Sequence, residues 1–252
     1  MNFMSSSDMS QIQILAFGPK AIVIHWPAVI SKDINAHINK VNQCIHQQFE
    51  DLIIESICTY SSITVYFNKS VEPYVIKEIN KYFKNENINL PNEPEHINWN
   101  IPVCYDTSFG LDIEGVAKVH SLSVNEVIKL HTEPLYYVYF LGFLPGFPYL
   151  GELNEKLYTP RLKTPRLRTP KGSVAIGDKQ TGIYPSNSPG GWNIIGRSPI
   201  NIFNQLESQP ALFSQGDSIK FHAIDLKSYE SLLKRIDKGD FSKEELMIQV
   251  KE

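Results

Sequence analysis

The sequence predicts an α+β protein in two parts, a small N-terminal ββαββα domain followed by a larger β-barrel. Three observations carry the prediction. Strand-like and helix-like hydrophobic periods alternate in ββαββα order over residues 11–84. A polar stretch with two prolines, NENINLPNEPEHIN, then breaks all periodicity over 85–98. Beyond it, residues 99–225 hold many short apolar segments separated by turn-rich loops, the pattern of a closed or nearly closed barrel.

Taken in order, residues 1–10 are polar and rich in Met and Ser, and disorder is expected there. Gln11 to Phe17 and Ala21 to Trp26 read as strands around the Gly18-Pro19 turn. Ser31 and Asp33 open a helix whose Ile34, Ile38, Val41, Ile45 and Phe49 recur at helical spacing and form one buried stripe. Ile53 to Thr59 and Ile63 to Phe67 form a hairpin across Tyr60-Ser61-Ser62, and Glu72 to Phe83 is a second amphipathic helix. Helices on one face of an antiparallel sheet result. After the linker, Trp99 to Cys104 is a strand. Two short helices follow, Ile113 to His120 and Ser123 to Thr132; Ser123 and Glu126 stand at capping-box spacing. Leu135 to Leu141 is an aromatic strand. Ser173 to Ile176, Gly182 to Tyr184, Trp192 to Ile195, Ile200 to Phe203 and Ser218 to Ile224 complete the barrel, and residues 226–252 form a charged helical tail.

Composition narrows the function classes. With 252 residues, 42% hydrophobic content and net charge −3, the chain reads as an ordinary globular protein and not as a general nucleic-acid binder. No apolar run reaches the ~20 residues of a membrane span, and the N-terminus lacks the pattern of a signal peptide, so a cytoplasmic location is expected. Cys44, Cys58 and Cys104 are widely spaced and suggest neither a disulfide framework nor a zinc site, and no metal ligand set is visible. Buried free thiols are the expected state.

The stretch Phe140 to Ile200 concentrates the unusual residues. It contains 9 of the 14 glycines, 8 of the 16 prolines and four of the five arginines, Arg161, Arg166, Arg168 and Arg197. Eight Lys and Arg against three acidic residues leave it at +5, while the rest of the chain carries −8. Glycine and proline at this density specify turns and short strands, and a planar guanidinium grips a carboxylate or phosphate with two hydrogen bonds. An anionic ligand is the natural partner. Within the stretch, Thr-Pro-Arg or Thr-Pro-Lys recurs every five residues at Thr159, Thr164 and Thr169. That repeat predicts an extended, polyproline-like chain with basic side chains turned outward. Arg161 and Arg168 also suit simple pairing with surface carboxylates.

Familiar catalytic patterns are missing. Gly146 to Gly151 has the glycine spacing of a phosphate-binding loop, but Glu152-Leu153 stands where Lys-Ser/Thr is needed. What remains is a polar set on Gly/Pro turns. His131, Arg166 and Arg197 are the catalytic candidates, with a structural role near the helix C-terminus equally open for His131. Tyr149, Ser173, Gln180, Thr181, Tyr184, Ser188, Gly190, Gly191 and Trp192 are the substrate-binding candidates, though Tyr184 and Trp192 also suit barrel core. Gly190-Gly191, between Ser188-Pro189 and Trp192, is expected to be a turn where backbone closely approaches a ligand.

The motif string GFLPGFPYLG (142–151), TPRxxTPR (159–166), GSVxI (172–176), QTGIYP (180–185), SPGGW (188–192) and IGRSP (195–199) resembles, in order and spacing, the family of 5-oxoprolinase B subunits. IPVCY (101–105) and VIKLH (127–131) extend the resemblance, which covers residues 12–224. The N-terminal turn departs from it, with Gly18-Pro19-Lys20-Ala21 where members commonly carry Gly-Asp-Arg/Ser-Ala. The family takes in the KipI kinase inhibitors and subunit 1 of allophanate hydrolases. The resemblance implies a cyclophilin-like barrel and the ATP-dependent opening of a lactam, 5-oxo-L-proline, to L-glutamate. It also implies partners: a C subunit of the biotin-dependent carboxyltransferase type and an A subunit, with ATP bound by the assembled complex and the lone chain inactive. The KipI branch implies a histidine kinase as an alternative partner, and the allophanate branch an amide derived from urea. None of these implies nucleic acid or a membrane.

Overall fold

The computed structural model describes residues 11–84 and 95–248. The expectations for residues 1–10, for most of the linker and for the last four residues fall outside them. The chain divides into two compact units, Met1–Glu95 and His96–Glu252.

In the first unit, strands β1 (Gln13–Ala16), β2 (Ala21–His25), β3 (Ile53–Cys58) and β4 (Ser62–Phe67) form an antiparallel sheet in the order β1-β2-β4-β3. Alternation decides its faces: Ile22, Ile24, Ile63, Val65 and Phe67 all turn to the core. Helix α1 (Lys32–Phe49) answers with Ile34, Ile38, Val41, Ile45 and Phe49, and helix α2 (Pro73–Lys84) with Val75 and Ile79. Each buried Ile side chain contributes about 1.5–3 kcal/mol. Ser31 caps α1 by accepting from the Ile34 amide at 3.4 Å.

The second unit is a closed seven-stranded barrel. Its strands are β5 (Asn98–Cys104), β6 (Leu135–Leu141), β7 (Pro148–Leu150), β9 (Ser173–Gly177), β10 (Gln180–Ile183), β12 (Asn193–Arg197) and β13 (Ser218–Ile224), and β8 (Arg166–Thr169) pairs with β11 (Ser188–Gly190) as a separate ribbon. Around the barrel the order is β10-β7-β6-β13-β5-β12-β9, with β9 closing on β10. Only the β5–β13 pair is parallel, in register from Asn98↔Ser218 to Cys104↔Ile224. Period-two positions Trp99, Ile101 and Val103, Val174 and Ile176, and Ile219 and Phe221 fill the interior. Helices α3 (Ile113–Val119) and α4 (Val124–Thr132) add Ile113, Val116, Ala117 and Val127 to the same core, and Ser123 and Glu126 form the expected capping box. Buried Asp217 fastens the start of the barrel by accepting from the Ile97 amide, the Trp99 indole and the Ser214 amide at 2.8–2.9 Å.

Several expectations need correction. Asn98, read as linker, begins β5, because its register partner Ser218 extends the parallel ladder by one residue. Ile200 to Phe203 is not a strand. Phe203 makes an isolated bridge with Ala211, and Pro199 and Pro210 flank the segment and lack ladder donors. Short strands β7 and β11 occur where turns were expected, and β8 forms within the stretch expected to be extended and polyproline-like. The tail is only partly helical: helix α5 (Leu226–Lys238) stops at left-handed Gly239, and after a short 3-10 turn the Ile248 amide donates to Asn98.

Candidate functional site

Two of the three catalytic candidates meet one loop, residues 106–112. Asp106 shapes it: its carboxylate accepts from the Ser108 amide and hydroxyl, and its carbonyl accepts from the amides of Phe109 and Gly110. The loop then lies against β12, where Asp112 N donates to Ile194 O at 2.8 Å and Ile194 N donates to Asp112 Oδ2 at 2.6 Å. Arg166 reaches over from β8 and donates through Nη2 to Asp112 Oδ1 at 2.5 Å. From the end of β12, Arg197 lays its guanidinium over the Phe109 ring, 4.9 Å from the centroid. The Arg197 charge also acts on Tyr229, whose phenol pKa is raised by burial and pulled back by that arginine.

These guanidiniums are not used up. Arg166 Nη1 and Arg197 Nε are buried and have no hydrogen-bond partner among the described residues, and the same holds for Ser173 Oγ, directly opposite Arg197 in the β9–β12 register. Buried donors cost free energy when left unpaired, so the arrangement is suited to an incoming anion or carbonyl oxygen. Asp112 is the residue the sequence reading missed. It precedes α3 and looks like a helix cap, yet its side chain makes no cap bond.

A second group lies on the outer wall of the barrel. Phe147, Tyr184, Trp192, Ala175 and Ile194 form an apolar cluster of their own, with Tyr149 packed against it. Tyr184 and Trp192 are therefore neither barrel interior nor exposed. Glycines make room for them: a Cβ on Gly177 would stand 2.6 Å from the Trp192 ring, and one on Gly182 would stand 2.9 Å from Phe147. Tyr149 stacks on Phe140 at 4.4 Å and meets Phe147 and Trp192 edge-on. Burial raises both the Tyr149 and Tyr184 phenol pKa values, with the Arg161 charge opposing. Arg161 sits 5.7 Å from the Trp192 ring centroid and donates to Asp178 at 2.9 Å, the surface pairing allowed for it from sequence. Gln180 Oε1 is buried and has no partner among the described residues.

The remaining candidates are distributed elsewhere. His131 and Thr181 are inside the barrel and fully buried. The imidazole stacks on Phe221 at 4.8 Å, hydrogen-bonds the Tyr105 hydroxyl through Nδ1 at 2.7 Å and the Thr181 hydroxyl through Nε2 at 2.9 Å. Thr181 Oγ1 donates to Ala175 O, which assigns the proton to Nε2 and makes Nδ1 the acceptor from Tyr105. Burial lowers the His131 pKa to about 3, so it stands as a neutral core histidine with both nitrogens occupied. Ser188 donates to the Pro189 carbonyl. The glycine pair divides. Gly190 ends β11 and is not part of a turn; a Cβ there would lie 2.5 Å from the Tyr184 hydroxyl and 2.7 Å from Thr169 Oγ1, so the close approach it permits is to protein. At Gly191 a Cβ would meet only Pro165 and Leu162 at ordinary contact, without a positive φ.

No group of three or more His, Cys, Asp and Glu fit to hold a metal occurs among the described residues. No described helix is long and apolar enough to cross a membrane.

Comparison with known proteins gives the arrangement a context. Residues 12–213 match the family model of the carboxyltransferase domain, subdomain C and D. The 5-oxoprolinase B subunit of Bacillus subtilis is 37% identical over 229 residues, covering 87% of this chain and 95% of that protein. The crystal structure of TTHA0988 superposes with a TM-score of 0.70 at 31% identity, over 82% of this chain and 40% of that one. The urea amidolyase of K. lactis gives a TM-score of 0.77 at 19% identity, over 96% of this chain and 16% of that chain, a likeness of fold alone.

Proposed function

The chain belongs to the family of 5-oxoprolinase B subunits, within the carboxyltransferase subdomain C and D class, and on that premise we propose that it is the B subunit of a 5-oxoprolinase, a lactam hydrolase that opens 5-oxo-L-proline to L-glutamate at the expense of ATP. The observation that carries the reading is the 37% identity sustained over 95% of the Bacillus subtilis protein. The site chemistry supports it. A lactam is an unreactive amide, and opening it requires donors preorganised for a substrate carboxylate and for charge developing on the carbonyl oxygen. Arg166 Nη1 and Arg197 Nε, both buried and unpartnered among the described residues, are donors of that kind. Each arginine is held by the 106–112 loop, which reduces the ordering cost when the anion arrives.

The glycine run that resembles a phosphate loop does not suit ATP. In the Gly146 to Gly151 run, a Cβ on Gly146 would strike Phe203 and one on Gly151 would strike Tyr139, so these glycines seat aromatic rings and do not cradle phosphate. We therefore assign ATP to the assembled complex, with a carboxyltransferase-type C subunit and an A subunit as the companions, and derive no step through it in this chain. Here the residues bind and orient the substrate: Arg166 and Arg197 take its carboxylate.

The test is ATP-dependent glutamate release from 5-oxoproline by the lone chain, by the chain co-expressed with the C subunit, and by the full set. Activity is expected only with companions present. Turnover by the purified chain alone, or none from the full set, would overturn the reading.

A further inference from the structure

Residues 159–171 form an arm of which the chemistry described so far employs Arg166 alone. The arm carries five cations, Arg161, Lys163, Arg166, Arg168 and Lys171, and no acidic residue. Asp178 and Asp112 pair with Arg161 and Arg166, while Lys163, Arg168 and Lys171 have no carboxylate within salt-bridge range among the described residues. On β8, Leu167 is 92% exposed, the highest value among the exposed large hydrophobics of the described residues. Leu111, next to Asp112, is itself 55% exposed, so an apolar residue stands on each side of the Arg166–Asp112 pair.

The arm is not loose. Asn193 Nδ2 donates to Pro160 O at 2.9 Å, Leu162 N donates to Gly191 O at 2.7 Å, and β8 pairs with β11. Prolines 160, 165 and 170 restrict it further. Since β8 and β11 make a two-stranded ribbon, each has one edge without a strand among the described residues. A rigid, basic edge strand with a projecting leucine is what strand addition uses: backbone bonds supply affinity, and the leucine and the charges supply register and choice of partner. Its complement is an acidic strand edge with an apolar pocket.

We propose that residues 159–171 dock a companion subunit of the complex through an acidic strand that pairs with the free edge of β8 and receives Leu167. The inference rests on reading the chain as one member of an assembly. The charge difference favours such a partner, because three unpaired cations and no anion face outward here.

Co-expression of the tagged chain with the C subunit, followed by titration of the purified proteins, tests it with Leu167→Glu and Arg168→Glu, both at exposed positions outside the proposed substrate site. The expected result is a Kd raised about tenfold or more in each variant, stronger salt dependence in wild type than in Arg168→Glu, and melting curves unchanged. Equal binding by wild type and both variants overturns the docking surface and leaves the reading of the chain as an enzyme component intact. Wild type that fails to bind the C subunit overturns both. If Leu167→Glu instead dissociates a homodimer of the isolated chain and leaves the complex untouched, the occupant is a second copy and the proposal is overturned.

Discussion

Arg166 and Asp112, 54 positions apart in sequence, meet through a 2.5 Å hydrogen bond between Nη2 and Oδ1 while the other carboxylate oxygen accepts from the Ile194 amide. The two side chains are 27% and 16% exposed, so the pair is largely removed from water. One carboxylate thus ties the β8 ribbon to the barrel wall and leaves the second tine of the guanidinium fork uncommitted. Asp112→Asn keeps the shape but removes the charge facing Arg166, and a stability loss of about 1–3 kcal/mol is expected in urea unfolding. A cycle with Arg166→Met should return a coupling energy of about 0.5–3 kcal/mol. Zero coupling would mean that the pair holds nothing.

Much of this architecture is legible in the sequence, for reasons that differ by element. The α1 stripe from Ile34 to Phe49 and the Ser123/Glu126 capping box are local signals, and both stand in the structure where periodicity and spacing put them. Strands β7 and β11 are not legible, since three residues containing or flanked by Pro and Gly carry no period of two, and β8 is legible only as extended chain, not as a paired strand. Of the candidate site, composition marks only a segment: arginines and glycines concentrate at 140–200, and two of those arginines, Arg166 and Arg197, meet the 106–112 loop. The pairing of Arg166 with Asp112 is not, because it spans separate elements and Asp112 sits where a helix cap is expected. Nor can spacing reveal that His131, on α4, turns into the barrel while Tyr149, opposite a bulge between Val138 and Phe140, packs on the outer wall with Trp192.

Alanine at the two adjacent glycines should give opposite results. Gly190→Ala drives a methyl into the Tyr184 hydroxyl and Thr169 Oγ1, at a cost of about 1–3 kcal/mol. Gly191→Ala finds only ordinary contacts and should be neutral or stabilising by up to about 1 kcal/mol. Thermal melts of the two proteins check this, and equal destabilisation would contradict the geometry.

The buried His131 predicts a pH dependence with a definite sign. Its pKa is held at about 3 in the fold against 6.5 in the unfolded chain, so the unfolded state binds the extra proton first as pH falls. Stability contributed by the neutral ring is complete above pH 6.5 and declines as pH drops toward 3. The slope approaches one proton, about 1.4 kcal/mol per pH unit. His37, lowered to about 4 by burial and by Lys40, titrates in the same direction, so the comparison must be with a variant. His131→Gln should be less stable at pH 7 and should show a flatter decline between pH 6 and 4. An unaltered slope would exclude His131 as the titrating group.

Arg197 allows a sharper division between binding and packing. Its guanidinium stacks on Phe109 and reaches Tyr229, which a purely structural residue would also do, but its Nε is buried with no partner among the described residues. A fork committed only to packing would have that donor satisfied or exposed, because leaving it buried and unpaired costs about 1–3 kcal/mol. Arg197→Lys keeps the positive charge and loses the planar fork, and Phe109→Leu removes the stacking surface and leaves the fork. If Arg197 takes the substrate carboxylate, the Lys variant of the assembled complex should lose about tenfold or more in kcat/KM, equivalent to about 1.4 kcal/mol, while melting close to wild type. Phe109→Leu should lose stability of about 1 kcal/mol with a smaller kinetic effect, because the fork loses a stacking partner and keeps its donors. The reverse pattern, a destabilised Lys variant with unchanged kinetics, would make Arg197 a packing residue and move substrate binding to Arg166 alone.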